Sequence, residues 1–211
     1  MAYPLTLKSL PLFPLETVLF PEGILPLRVF EVRYLDMVRK GHAAGAPFGV
    51  VALTSGREVR QAGAPQEQFH LVGTLAVIDQ LEQPQPCFLT VVCHGTERFR
   101  ITQSHHLPHG LWIGDVEQMA PDVTTPIPDY LRKIATALTK VLQTIHQRSP
   151  QSRLTPEPSA EQLNDCGWVA NRWCELVPVP IALKQQLMEL ENPLVRLELV
   201  GDILGRTGIA N

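Results

Sequence analysis

Histidine, cysteine and carboxylate side chains gather in two stretches of this 211-residue chain, and metal or acid–base chemistry would be sought there first. One stretch is Cys93-His94. The other holds His105, His106 and His109, with Asp115 and Glu117 just beyond. Zinc needs three or four ligands converging at about 2.0–2.3 Å, whereas neighbouring residues on a strand point to opposite faces. Cys93 and His94 are therefore badly placed to share an ion, and His94 reads as the end of its strand. His105 to His109, with Pro108 and Gly110, reads as a polar turn between strands. No metal and no cofactor is expected. Asp115, Glu117 and His106 are the acid–base candidates of a hydrolase, but Asp115 and Glu117 also have the spacing of two residues on one solvent-facing side of a strand.

Two charged clusters suggest binding or structure rather than catalysis. In Arg98-Phe99-Arg100-Ile101 the alternation predicts Phe99 and Ile101 inward and both arginines outward, where with Glu97 they would pair across a sheet. Glu31, Arg33 and Tyr34 lie at the start of a predicted helix and read as an ion pair beside a packed ring. Several catalytic devices are missing from the text. No glycine precedes a lysine, so there is no phosphate-binding loop of the Gly-Lys-Ser/Thr type. Neither a Gly-x-Ser-x-Gly elbow nor a His-Glu-x-x-His helix occurs.

The four cysteines contain no Cys-x-x-Cys pair. Cys87 and Cys93 share parity with Leu89 and Val91, which predicts one buried strand face. Cys166 and Cys174 fall on a predicted helix with Val169, Trp173 and Leu176, again as small apolar side chains. A formal charge of −3 offers no general attraction to nucleic acid or anionic lipid, and no apolar run approaches the roughly 20 residues of a membrane span. The first residues lack the pattern of a secretory signal, so the expected compartment is the cytoplasm.

The elements that must position these residues fall into two groups. Residues 5–119 carry short strands over Ile24 to Val29, Phe48 to Leu53, Val72 to Gln80, Cys87 to Cys93 and Leu111 to Met119, besides the Arg98 to Ile101 segment. One helix interrupts them from Glu31 to Lys40, with Tyr34, Leu35 and Val38 on its inner side and Gly41 as its stop. The loop from Thr54 to Gln68 is long enough to move or to bind. Residues 120–128 form a linker rich in proline and threonine. From 129 to 207 the period becomes helical, starting with the stripe Leu131, Ile134, Leu138, Val141, Leu142 and Ile145 behind a predicted Asp129 cap. A polar stretch runs from Arg148 to Pro158. Ser159 with Gln162 then makes a capping box for a helix to about Leu176. Pro180 and Pro193 open two more helices, the last carrying Leu194, Leu197 and Leu204 and ending at Gly205. The fold class expected is α+β: a partly closed β-barrel of six or seven short strands with one helix, followed by a helical bundle.

The opening run Leu10-Pro11-Leu12-Phe13-Pro14-Leu15, followed by Val18 to Tyr34, resembles the start of the substrate-binding domain of Lon proteases. The resemblance continues through Val72-Gly73-Thr74-Leu75-Ala76, Gly95 to Ile101 and Trp168-Val169-Ala170-Asn171-Arg172. It implies a PUA-like barrel with a helical subdomain, and recognition of unfolded or specific protein segments. The partners implied are such segments and the proteolysis machinery, with no nucleic acid and no membrane. The ATPase module of those proteases is missing from these residues. So is the Ser-Lys protease module: the chain has five lysines, none in a matching context. Non-catalytic recognition is thus the expected function. A hydrolase with an unrecognised site and a PUA-like RNA-binding protein are the alternatives. An extended peptide would add to a strand edge or lay side chains in a groove. Arg28, Arg33, Tyr34 and Trp112 are the candidate peptide-binding residues, by position near the shared motifs and by side-chain type.

Overall fold

The computed structural model describes residues 5–59, 63, 65–148 and 157–207. The chain divides into two compact units, Met1–Pro121 and Asp122–Asn211. The first contains seven strands and one helix: β1 (Thr6–Leu15), β2 (Ile24–Val29), α1 (Val32–Ala44), β3 (Phe48–Ser55), β4 (Gln68–Phe69), β5 (Val72–Gln85), β6 (Phe88–His106) and β7 (Trp112–Gln118). Antiparallel pairing runs β1-β7-β6-β5-β3, and a parallel pairing of β1 with β3, Leu12 to Leu15 against Gly49 to Ala52, closes these five strands into a ring. β2 pairs with β6 and β4 with β3, both off the ring.

The proline-broken run Leu10 to Leu15 is apolar at nearly every position because both faces of β1 are buried, so simple alternation is lost. Leu10 and Leu12 join Val51, Leu75, Phe99, Ile101 and Val116, one set of residues drawn from all five ring strands, to fill the interior. Phe13 and Leu15 face the other way, into a larger core with Leu27, Val29, Tyr34, Leu35, Val38, Phe48, Leu89 and Val91, which seats α1 and β2 against the outside of the ring. Glycine makes the interior possible where strands and the Phe99 ring crowd together. A Cβ on Gly73 would lie 2.4 Å from the Val50 carbonyl oxygen and 2.7 Å from Phe99 Cζ.

Several expectations change here. α1 does not stop at Gly41 but continues to Ala44, because the residue that can take the left-handed conformation at the end is Gly45 (φ 59°). The two expected strands around Cys93 and Arg98 are one continuous strand, β6, so His94 lies within it, bonded through Nδ1 to Asp79 at 2.7 Å. Cys87 is exposed at the β5–β6 turn instead of sharing the buried face of Cys93. Arg98 is buried, not outward, with a guanidinium nitrogen 3.4 Å from the Ala120 carbonyl. Only Arg100 of that pair faces solvent.

The second unit contains α2 (Arg132–Arg148), α3 (Cys166–Leu176), α4 (Ile181–Glu189) and α5 (Pro193–Thr207), with 3₁₀ turns at Asp129–Leu131 and Gln162–Asn164. Leu131, Ile134 and Leu138 of the predicted stripe are buried, while Val141, Leu142 and Ile145 are half-buried. Asp129 caps nothing; it lies inside the first 3₁₀ turn and accepts from Arg132 Nε at 2.7 Å. The Ser159–Gln162 box forms reciprocally, at 2.9 and 3.1 Å, but it closes only a 3₁₀ turn. Asp165 starts α3 instead, accepting from Trp168 N at 2.8 Å. Gly205 does not end α5, which runs to Thr207. Most of the polar stretch from Arg148 to Pro158 lies outside the described residues. Trp173 is buried and donates to the Ile134 carbonyl at 3.1 Å, joining α3 to α2. The buried Arg196 donates to Leu187 O at 2.9 Å, Asn171 Oδ1 at 3.0 Å and Asp122, which gathers α3, α4, α5 and the entering chain.

Gly73→Ala tests the ring interior. Because the clash is with backbone as well as Phe99, the substitution is expected to destabilise the protein by about 1–3 kcal/mol, read as a lower urea midpoint at unchanged m-value.

Candidate functional site

The residues at the start of α1 occupy two connected environments. Arg33 is buried and turns toward the loop before β4. Its Nη1 donates to Glu67 Oε1 at 3.0 Å and to the Gly110 carbonyl at 3.1 Å, and its Nε to Glu31 Oε2 at 3.2 Å. Its Nη2 is buried without a partner among the described residues. Trp112, at the start of β7, reaches the other oxygen of Glu67 through Nε1 at 3.5 Å and packs edge-on against Phe69 and His106, with ring centroids 5.0 and 5.5 Å away. Burial works against ionisation of Glu67, but its own backbone N–H and the Arg33 guanidinium outweigh it and hold the carboxyl below the usual range. Burial likewise opposes the charge on Arg33, and Tyr34, Glu31 and Glu67 more than restore it.

Tyr34 joins the two environments. Its ring stacks on Phe13 with centroids 3.9 Å apart and planes at 19°, while the Arg33 guanidinium lies 4.6 Å from the ring centroid. Tyr34, Phe13 and Leu27 belong to the floor of a groove of about 600 Å³, lined also by Leu25, Pro26, Arg28, Phe30, Glu31, Glu58 and Val59. Of this lining, Phe30 is 48% exposed and Val59 47%. Such large apolar side chains left in solvent around one depression are the informative kind of surface.

The four residues singled out from sequence thus separate into pairs. Arg28 and Tyr34 line the groove. Arg33 and Trp112 meet through Glu67 outside its lining, where Arg33 forms the ion pair expected with Glu31 and a second one with Glu67. Glu58, Val59 and Glu67 lie in the 54–68 loop expected to move or to bind, though none was singled out there, and Phe30 was not expected as a site residue. Phe30 carried a signal, being a large apolar residue out of step with buried Leu27 and Val29 just before a helix. Glu67 carried none, since a lone acid in a polar loop reads as solvated.

The acid–base candidates take part in other contacts. Asp115 accepts from Ser9 N at 3.0 Å and lies 3.5 Å from Lys8 Nζ, and these contacts keep its carboxyl below the usual range. His105 and His106 sit at the end of β6, opposite Ile113 and Trp112, and only Leu107 to Leu111 makes the turn. Among the described residues no group of three or more His, Cys, Asp and Glu side chains is placed to hold a metal ion. Burial pushes the Cys93 and Cys174 thiols up to about 12, which keeps both protonated and packed as apolar groups. No helix among the described residues is long and apolar enough to cross a membrane.

This architecture matches solved Lon amino-terminal domains. The crystal structure of the Lon N-terminal domain protein from Xanthomonas campestris has a TM-score of 0.69 at 30% identity, covering 92% of this chain and 97% of that one. The N-terminal domain of Mycobacterium avium complex Lon protease shares the fold, with a TM-score of 0.57 at 18% identity over 92% and 97% of the two chains. Residues 9–206 match the model of the ATP-dependent protease La (LON) substrate-binding domain, and the chain belongs to that family. Among curated relatives, the Lon protease of Anaeromyxobacter dehalogenans is 25% identical over 202 residues, 93% of this chain and 23% of that protein. Lon protease 2 of Herpetosiphon aurantiacus is 28% identical over 204 residues, 92% and 24% respectively. The chain spans about a quarter of the length of these relatives. Membership supports a substrate-recognition role in general.

Glu67→Ala removes one of the two carboxylates paired with buried Arg33, leaving Glu31, and is expected to cost about 1–3 kcal/mol. The pH dependence has a definite sign. With its carboxyl depressed in the folded protein, the Glu67 contribution is complete above the unfolded value near 4.5 and is lost as pH falls through the lower folded value. Urea titrations should therefore show the gap between wild type and Glu67→Gln closing toward acid pH and remaining constant above neutrality.

Proposed function

We propose that the chain is a non-catalytic module that binds unfolded or specific protein segments in the groove over Tyr34, with proteolysis machinery as a partner. The observation that carries this reading is the grouping of half-exposed Phe30 and Val59 around a floor of Phe13, Leu27 and Tyr34. Segments exposed in an unfolded chain supply what that surface lacks, apolar side chains in extended backbone. Side-chain docking suits the site better than strand addition, because Pro26 stands in the middle of β2 with no N–H to offer.

Energetics set the strength. Two or three leucine-sized side chains contribute on the order of 3–9 kcal/mol, while association costs an estimated 4–15 kcal/mol. One copy is therefore a micromolar or weaker binder, and several copies presented together gain by effective concentration.

The test is fluorescence anisotropy with a labelled, permanently unfolded model protein. Phe30→Ser and Val59→Ser should each weaken binding about tenfold, the loss expected for one half-buried apolar anchor, with melting curves close to wild type. No saturable binding at high protein concentration, or binding indifferent to the double variant, would overturn the proposal.

A further inference from the structure

Val59 reaches the groove from the connection between β3 and β4, which the sheet releases after Ser55 and takes up again at Gln68. Between those points the wall needs other supports, and two carboxylates supply them. Glu58, next in sequence to Val59, accepts from the Glu16 backbone N–H through Oε1 at 2.6 Å, which ties the outgoing arm to the chain just beyond β1. Glu67, on the returning arm, is tied to Arg33 of α1 at 3.0 Å. The two arms touch where Gly56 meets Glu67, so closely that a Cβ on Gly56 would lie 3.2 Å from Glu67 Cα. Glu67 thus braces the outgoing arm from behind, and Glu58 fixes it beside Val59. Phe30, the other half-exposed anchor, comes from the segment between β2 and α1, outside this connection.

We propose that Glu58 and Glu67 are positioning residues for guest binding: they hold Val59 at the groove wall and act through it, with no contact to the guest required. The inference rests on the groove being the binding site. A loose connection would have to be ordered as the guest arrives, whereas a tied one has met that cost during folding. Apparent affinity then scales with the fraction of molecules in which the wall is in place. The tie made by Glu58 needs an oxygen acceptor and not a negative charge, so Gln can replace it and Ala cannot.

Double-mutant cycles test this, read by fluorescence anisotropy with the labelled unfolded protein and the full chain. Glu58→Ala should weaken binding about threefold, the loss expected when the wall is in place roughly a third of the time, and Glu58→Gln should recover most of it. Glu67→Gln should weaken binding to a similar degree. Both losses should shrink toward nothing in the Val59→Ser background, where the wall carries no anchor, and persist in the Phe30→Ser background. Amide hydrogen exchange at residues 57–59 should quicken in Glu58→Ala while the ring strands stay protected, which separates a loosened wall from a weakened fold. Losses of equal size with and without Val59→Ser, no loss in either variant, or unchanged exchange at 57–59 would overturn the positioning role and leave apolar docking standing. Binding indifferent to both Phe30→Ser and Val59→Ser would overturn the groove reading and this inference with it.

Discussion

The buried guanidinium of Arg33 is the constraint on which the first unit depends. A charge removed from water must be paired and hydrogen-bonded to persist, and Arg33 meets that requirement by drawing on segments far apart in sequence. Glu31 comes from the turn before α1, Glu67 from the loop before β4, and the Gly110 carbonyl from the β6–β7 turn. None of these segments is held by the strand ladder, so the ion pair orders what the sheet leaves loose. The guanidinium also lies 4.6 Å from the centroid of the Tyr34 ring, which stacks on Phe13.

Two cores share the strands of the ring. Leu12 and Phe13 are adjacent on β1 yet serve different ones, the first inside the ring and the second under α1. Such a strand has no solvent face to spare, and the large apolar side chains that emerge from the first unit among the described residues are Leu5, Phe30, Val32, Val59 and Leu71, none of them on β1's buried faces. In the second unit Arg196 plays a comparable part, joining α3, α4 and α5 through side-chain and carbonyl acceptors.

Much of this was legible beforehand, and the failures have physical causes. The strands, α1 and the change to helical period were all signalled by periodicity and by proline, and the family resemblance rested on motifs spread along the chain. Helix ends were misjudged where one capping residue was preferred over a stronger one, Gly41 over Gly45 and Ser159 over Asp165, because the deciding factor was tertiary: Asp165 also accepts from the Thr125 backbone at 2.9 Å. Arg98 was placed outward by alternation, which says which side a residue faces but not whether that side meets water. The ion pair of Arg33 with Glu31 was local and visible; its tie to Glu67 spans 34 positions and was not.

Pro26 has a consequence for the protein's own solubility. A domain that displays Phe30, Val32 and Val59 beside a peripheral strand has the ingredients of a self-templating edge. Proline in that strand denies an incoming copy part of the backbone ladder that stacked β-sheets require, while leaving the side-chain surface intact. The apolar side chains beside β2 can therefore stay exposed while the strand edge itself is a poor template for a second copy.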